Sequence, residues 1–161
     1  MSEFLRKLVD DLPTNPKEYP PPAFYFRVDI AGVSDTSFQE VTGIGPEIET
    51  EDVIEGGENR FVHRLPKSIR HPKLVLKRGV ARMNSQLVNW CRDVLEGDFN
   101  KPFVTKEINV KLLNEEGQSF LNWSFSNAFP VHWEVEAFNS TKNDVAIETV
   151  EFVYSYSKRE S

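Results

Sequence analysis

The sequence predicts a mainly β fold, an antiparallel β-barrel or sandwich with one packed α-helix and an extended β-hairpin arm. Three observations carry that expectation. Apolar and polar residues alternate with period two through several segments; the cleanest is Glu107 to Leu113, with Ile108, Val110 and Leu112 on one face. Aromatic residues make up 12% of the chain and include 12 Phe, and with many Val and Ile they favour pleated, half-buried surfaces. Helical spacing is clearest over about Asn84 to Leu95, where Leu87, Trp90, Cys91, Val94 and Leu95 share one face.

In chain order, Leu5, Leu8, Val9 and Leu12 fall on one helical face that Ser2 can cap and Pro13 ends. Pro16, Pro20, Pro21 and Pro22 then form a semi-rigid spacer. Phe24 to Ala31 alternates as a half-buried strand, Gly32 to Asp35 turns, and Phe38 to Thr42 is a second strand stopped by Gly43-Ile44-Gly45-Pro46. Glu47 to Ile54 alternates with little apolar content, so it is expected at an edge or as a projecting arm. Glu55-Gly56-Gly57-Glu58 signals a hairpin tip, with a return strand over Phe61 to Leu65. Pro66 to Pro72 reads as loop and Lys73 to Arg78 as a short strand. Asn84 or Ser85 can cap the helix and Gly97 can end it. After Leu113, Asn114-Glu115-Glu116-Gly117 turns the chain into a strand with Leu121, Trp123 and Phe125. Val131, Trp133 and Val135 form another. The last strand, Val145 to Tyr156, changes apolar parity between Ile147 and Val150, which predicts a bulge or two environments. Residues 1–22 are read as an N-terminal extension, 23–157 as one β domain and 158–161 as a short polar tail.

The expected chemistry is sparse. No apolar run approaches the ~20 residues that span a bilayer. The one cysteine, Cys91, excludes an internal disulfide and suits a reducing cytoplasm. It lies on the apolar helix stripe, where a thiol is an inert small hydrophobe. His63, His71 and His132 lack metal-site spacing. Gly43-Ile44-Gly45-Pro46 lacks the third glycine and following helix of a nucleotide loop. Glu47, Glu49 and Glu51 share a strand face, but one strand supplies too few converging oxygens for a hard cation. No catalytic, metal or cofactor residue is therefore assigned, and no cofactor is expected.

Charge distribution is more informative. Net charge is −6, which weighs against nucleic acid as the main partner. Glu47 to Glu58 holds six acidic residues and no basic one, and Arg60 to Arg82 holds eight basic residues and no acidic one. Complementary blocks steer and register a contact between copies, and a head-to-tail contact generates rings or stacks. The expected interface residues are Glu47, Glu49, Glu51, Asp52, Glu55 and Glu58, set against Arg60, Arg64, Lys67, Arg70, Lys73, Lys77 and Arg78. The alternatives are a nucleic-acid-binding barrel, with Phe61, His63 and His71 stacking on bases, a monomeric barrel around a small apolar ligand, and a hydrolase on the same fold.

Several segments, in order and spacing, resemble the tail-tube family of contractile phages and extracellular contractile injection systems. They are Tyr25-Phe26-Arg27-Val28, Phe38-Gln39-Glu40-Val41-Thr42-Gly43-Ile44, Glu55-Gly56-Gly57-Glu58-Asn59-Arg60-Phe61, Leu74-Val75-Leu76-Lys77-Arg78-Gly79-Val80, Leu112-Leu113-Asn114-Glu115-Glu116-Gly117 and Trp123-Ser124-Phe125-Ser126-Asn127-Ala128-Phe129-Pro130. The resemblance implies a tail-tube β-barrel shared with the secreted tube protein of type VI secretion, with no enzyme activity. It implies a homo-oligomer of hexameric rings stacked into a tube inside a sheath, with spike or hub and baseplate proteins as further partners. No specific nucleic acid and no stable membrane insertion are expected. Assembly would be cytoplasmic, within a phage-tail-like particle that can be released. The hairpin Glu47 to Leu65 would reach the next ring. Gly56-Gly57-Glu58-Asn59-Arg60-Phe61 resembles the variant that starts the tube at the baseplate, with the main tube subunit as the alternative.

Overall fold

The computed structural model describes residues 25–34, 37–54, 56–57, 60–80, 85–99, 101–141 and 145–160. The helix expected over 5–12 and the proline spacer lie outside the described residues. Among the described residues, nine strands and one helix follow in the order β1 (Phe26–Ile30), β2 (Glu40–Thr42), β3 (Glu47–Val53), β4 (His63–Arg70), β5 (Leu74–Gly79), α1 (Gln86–Leu95), β6 (Lys106–Leu113), β7 (Ser119–Val135), β8 (Ile147–Val153) and β9 (Tyr156–Glu160).

Seven strands make one continuous antiparallel sheet in the order β1-β6-β7-β8-β5-β2, with β9 also on β7. The sheet turns on β7, which is 17 residues long. Its first half pairs with β6 and β9, and its second half pairs with β8. The two strands expected around Leu121 to Phe125 and Val131 to Val135 are thus one bent strand. Asn127, at φ 54°, and a register shift between Pro130 and His132 supply the bend. Val28 and Ile30 of β1, Ile108 and Val110 of β6, and Phe125 of β7 face Leu74 and Leu76 of β5 and Val150 and Phe152 of β8 in one buried cluster. Leu87, Trp90, Cys91 and Val94 of α1 join this cluster, with Trp90 stacked on Phe152 at 5.6 Å. Alternation put these side chains on common faces, and burial of each contributes roughly 1.5–3 kcal/mol.

Ser85 caps the helix, its hydroxyl accepting from the Val88 N–H at 3.3 Å. Burial pushes the Cys91 thiol up to about 12, with the Glu148 carboxylate adding to the rise. The reactive thiolate is absent well below that pH. Native protein at pH 8 is therefore expected to resist thiol reagents, and denatured protein to react like free cysteine. Rapid labelling of the native protein would contradict the buried placement.

Two expectations near the C-terminus change. Along β8 the inward positions are Glu148, Val150 and Phe152, with Tyr154 buried beyond them. The apparent parity change has a simple cause: a buried acid, Glu148, holds a core position. The chain then breaks at Ser155 and returns as β9, so residues 158–160 are strand and not a polar tail.

Candidate subunit interface

β3 and β4 form a separate two-stranded sheet, and among the described residues neither pairs with the main sheet. The arm is rooted where Gly43 passes Lys73. A Cβ on Gly43 would sit 1.9 Å from the Lys73 carbonyl oxygen, and its φ of +85° also requires glycine. At the other end, Gly57 at φ +103° turns the tip. The return strand extends beyond the expected Leu65, through Pro66, to Arg70. Pro66 lies opposite Thr50, where the ladder shifts register, and a bulge in a two-stranded ribbon tolerates its missing N–H.

The hairpin brings the acidic and basic blocks side by side. Glu47 pairs with Arg70 in register, Glu49 with Ser68, Glu51 with Leu65 and Asp52 with Arg64. The Arg70 guanidinium lies 3.5 Å from the Glu49 carboxylate, which also accepts from the Ser68 hydroxyl at 3.0 Å. Arg64 and Asp52 are likewise 3.5 Å apart. All of these groups are solvent-exposed or partly so, and such pairs are worth ~0–1 kcal/mol. They can re-pair with another molecule at little cost.

The expected site residues divide by position. Glu47, Glu49, Glu51, Asp52, Arg64, Lys67 and Arg70 belong to the arm, and Arg60 follows its tip. Glu55 and Glu58 lie outside the described residues. Lys73 and Lys77 sit on the body, bonded to Glu151 at 2.8 Å and near Glu40 at 3.6 Å. Arg78 is removed from the surface set. Alternation along β5 turns Leu74, Leu76 and Arg78 inward, so Arg78 is buried beside Glu148 and cannot meet another chain.

Charge patterning missed the arm's apolar side chains. Ile48 and Ile69 are direct cross-strand partners and remain 62% and 68% exposed. Leu65, Ile54, Phe61 and Val62 are exposed nearby in the chain. The signal was present, because Ile48 interrupts the run of glutamates, but a lone isoleucine does not reveal its partner. The barrel interior is filled by Phe125, Phe152, Leu74 and Leu76. A groove of about 750 Å³ lies instead on the outside, between Trp90, Glu96, Asp98, Lys101 and Phe103.

The family model described as T4-like virus tail tube protein gp19 matches residues 22–158. No curated protein matches the chain significantly. A chain of the anti-feeding prophage (AFP) baseplate, 6-fold symmetrised, is 27% identical with a TM-score of 0.75; the match covers 88% of this chain and 96% of that one. A chain of the sheath-tube complex of PVC, an extracellular contractile injection system, in its extended state is 23% identical with a TM-score of 0.74, covering 92% and 99%. Hcp1 from Flavobacterium johnsoniae shares the fold at 13% identity and a TM-score of 0.51, covering 84% and 94%.

Proposed function

The chain belongs to the tail tube protein family of T4-like viruses, and on that premise we propose that it is a structural inner-tube subunit whose copies join side by side into hexameric rings that stack end to end. The arm is the observation that carries this reading. It exposes charge of both signs and a pair of isoleucines, and within the described residues its strands pair only with each other. A monomer gains nothing from that exposure, whereas a second ring would cover it. Apolar burial supplies most of the stacking energy, and the charges of Glu47, Glu49, Glu51, Asp52, Arg60, Arg64, Lys67 and Arg70 set its register.

The proposed partners are further copies, then sheath, hub and baseplate proteins of a particle assembled in the cell and released. The 6-fold symmetry of the AFP baseplate supports the ring size, and the extracellular PVC system supports release. The finer reading, a ring that starts the tube at the baseplate, rests on Gly56-Gly57-Glu58-Asn59-Arg60-Phe61 and is supported by the 27% identity to an AFP baseplate chain. No chemistry is required of a single copy.

Negative-stain microscopy of the purified protein tests the class: rings or tubes are expected, and strictly single molecules at high concentration would overturn it. Co-purification with baseplate components tests the initiator role. Reversing Glu49 and Glu51 to Lys is expected to shorten or abolish tubes while changing unfolding stability by less than about 1 kcal/mol, because both are surface groups. Tubes of normal length from that variant would remove the charges from the interface.

A further inference from the structure

We infer that the groove beside the C-terminal end of α1 is the docking site of the chain's own residues 2–12. The segment docks as an amphipathic helix, with Leu5, Leu8, Val9 and Leu12 turned inward and Arg6 and Lys7 toward the acidic end of α1. The docking takes place within one copy and does not depend on the tube reading above.

The groove is preformed. Its walls are the last turns of α1 and the residues 97–99 and 101–104 that lead toward β6, and its volume is about 750 Å³. The Trp90 indole N–H donates to the Val104 carbonyl at 2.9 Å, which ties one wall to the other. Phe103 packs on Phe129 with ring centroids 4.9 Å apart, and Trp90 stacks on Phe152 in the core. Both walls are thus anchored, yet Val104 is 63% exposed, Leu95 and Phe103 are exposed, and Phe99 stands almost wholly in water. Four large apolar side chains between Leu95 and Val104 exceed the scattered exposure of an ordinary surface, and an anchored groove beside them calls for an apolar occupant.

Residues 2–12 lie outside the described residues, and the family match begins only at residue 22. Their sequence offers four aliphatic side chains at helical spacing, spread over about 10 Å of helix. So short a helix is marginal alone and gains its stability from an apolar surface. The tether is long enough. Leu113 N donates to Tyr25 O at 2.8 Å, so the N-terminal segment leaves the body beside the end of β6. Val104 is nine positions back along the chain from Leu113 (113 − 104), hence at most about 32 Å away. Residues 13–24 hold five prolines and span about 37 Å in the extended polyproline form. A tethered segment also meets the groove at an effective concentration on the order of millimolar, which favours it over an occupant from solution.

Charge orients the segment. Asp93 and Glu96 stand at the end of α1 and Asp98 follows, where the carbonyl end of the helix adds negative potential. Arg92 approaches Glu96 only at 4.0 Å, and both are exposed, so it neutralises little of this. Lys101 lies on the other wall. Arg6 and Lys7, near one end of the stripe, fit the acidic side, and Asp10 and Asp11, near the other end, fit Lys101. Entry in the reverse sense would set Asp10 and Asp11 against Asp93, Glu96 and Asp98, which opposes like charges.

Thiol labelling of the full chain, kept dilute and unassembled, tests the docking, because buried Cys91 stays unreactive. Val104→Cys is expected to react with a maleimide at least about tenfold more slowly than Ser140→Cys, an exposed control in the loop before β8. Adding Leu8→Asp is expected to bring Val104→Cys to the rate of the control and to leave Ser140→Cys unchanged. Leu8 lies outside the β domain, so the fold is expected to stand. Arg6→Glu with Lys7→Glu is expected to raise the Val104→Cys rate several-fold, and Glu96→Lys with Asp98→Lys added to that pair to restore protection. Fast labelling of Val104→Cys in the otherwise unaltered chain would overturn the docking. Protection that Leu8→Asp leaves intact would overturn it too, since something else would then cover the groove. Protection lost on dilution would assign the groove to a second copy, and failed restoration by the two lysines would overturn the orientation. None of these rates depends on ring formation, so absence of rings would count against the tube reading alone.

Discussion

Replacing Glu148 with alanine is expected to lower the unfolding free energy by about 3–5 kcal/mol, because it strands a guanidinium in the core. Arg78 and Glu148 are direct cross-strand partners on β5 and β8, both turned inward and nearly inaccessible to water. Arg78 donates to one carboxylate oxygen of Glu148, and the Trp133 indole N–H donates to the other at 3.1 Å. A second guanidinium nitrogen donates to the Ser85 hydroxyl at 2.7 Å, and that hydroxyl caps the helix. The cluster ties β5, β7 and β8 to the start of α1. Removing only the carboxylate leaves the cation desolvated, and that penalty exceeds the worth of the pair itself. The double variant Arg78→Met with Glu148→Leu removes both charges and is expected to be neutral or stabilising. Denaturant unfolding of unassembled protein, followed by tryptophan fluorescence, measures both. A loss below about 1 kcal/mol for Glu148→Ala would show that water reaches Arg78 and that the network is not part of the core.

The same pair shows where sequence reading stops. Alternation located β1, β5, β6 and the halves of β7 because apolar residues at every second position bury one face. It could not place Arg78 or Glu148 inside, since each looks like a surface residue until its partner is known, and the partners are 70 positions apart. The arm was legible as a hairpin from its acidic alternation and Gly56-Gly57, yet β4 was cut short at Pro66. Proline argues against a central strand, but at a bulge in a free ribbon it costs little. β9 was missed because Lys158, Arg159 and Glu160 carry no apolar face of their own; the strand is held by pairing with β7. In the candidate interface, charge was legible as two blocks. The blocks' mutual pairing within one hairpin, and the Ile48–Ile69 contact, depend on register, which a linear reading does not contain.

That isoleucine pair carries the second large effect. Ile48→Asp together with Ile69→Asp is expected to abolish ring stacking while leaving the subunit folded. Both side chains are mostly exposed in the single chain, so their loss costs the monomer little, within about 0.5 kcal/mol each. At a ring-to-ring contact, burial of an isoleucine contributes roughly 1.5–3 kcal/mol, against ~0–1 kcal/mol for each exposed charge pair of the arm. The double substitution removes that gain and introduces two carboxylates that a closed contact would have to desolvate. Repeated at every subunit of a ring, the change far exceeds what charge reversal at Glu49 and Glu51 produces. The expected result is single rings in negative stain, an unchanged melting temperature and no tubes at any protein concentration that gives tubes with the unaltered chain. Side-by-side joining within a ring would use the body of the barrel and not the arm, and should survive. Tubes of normal length from the Asp variant would mean that the arm's apolar face stays in water after assembly, and stacking would then have to draw its energy from the body of the barrel.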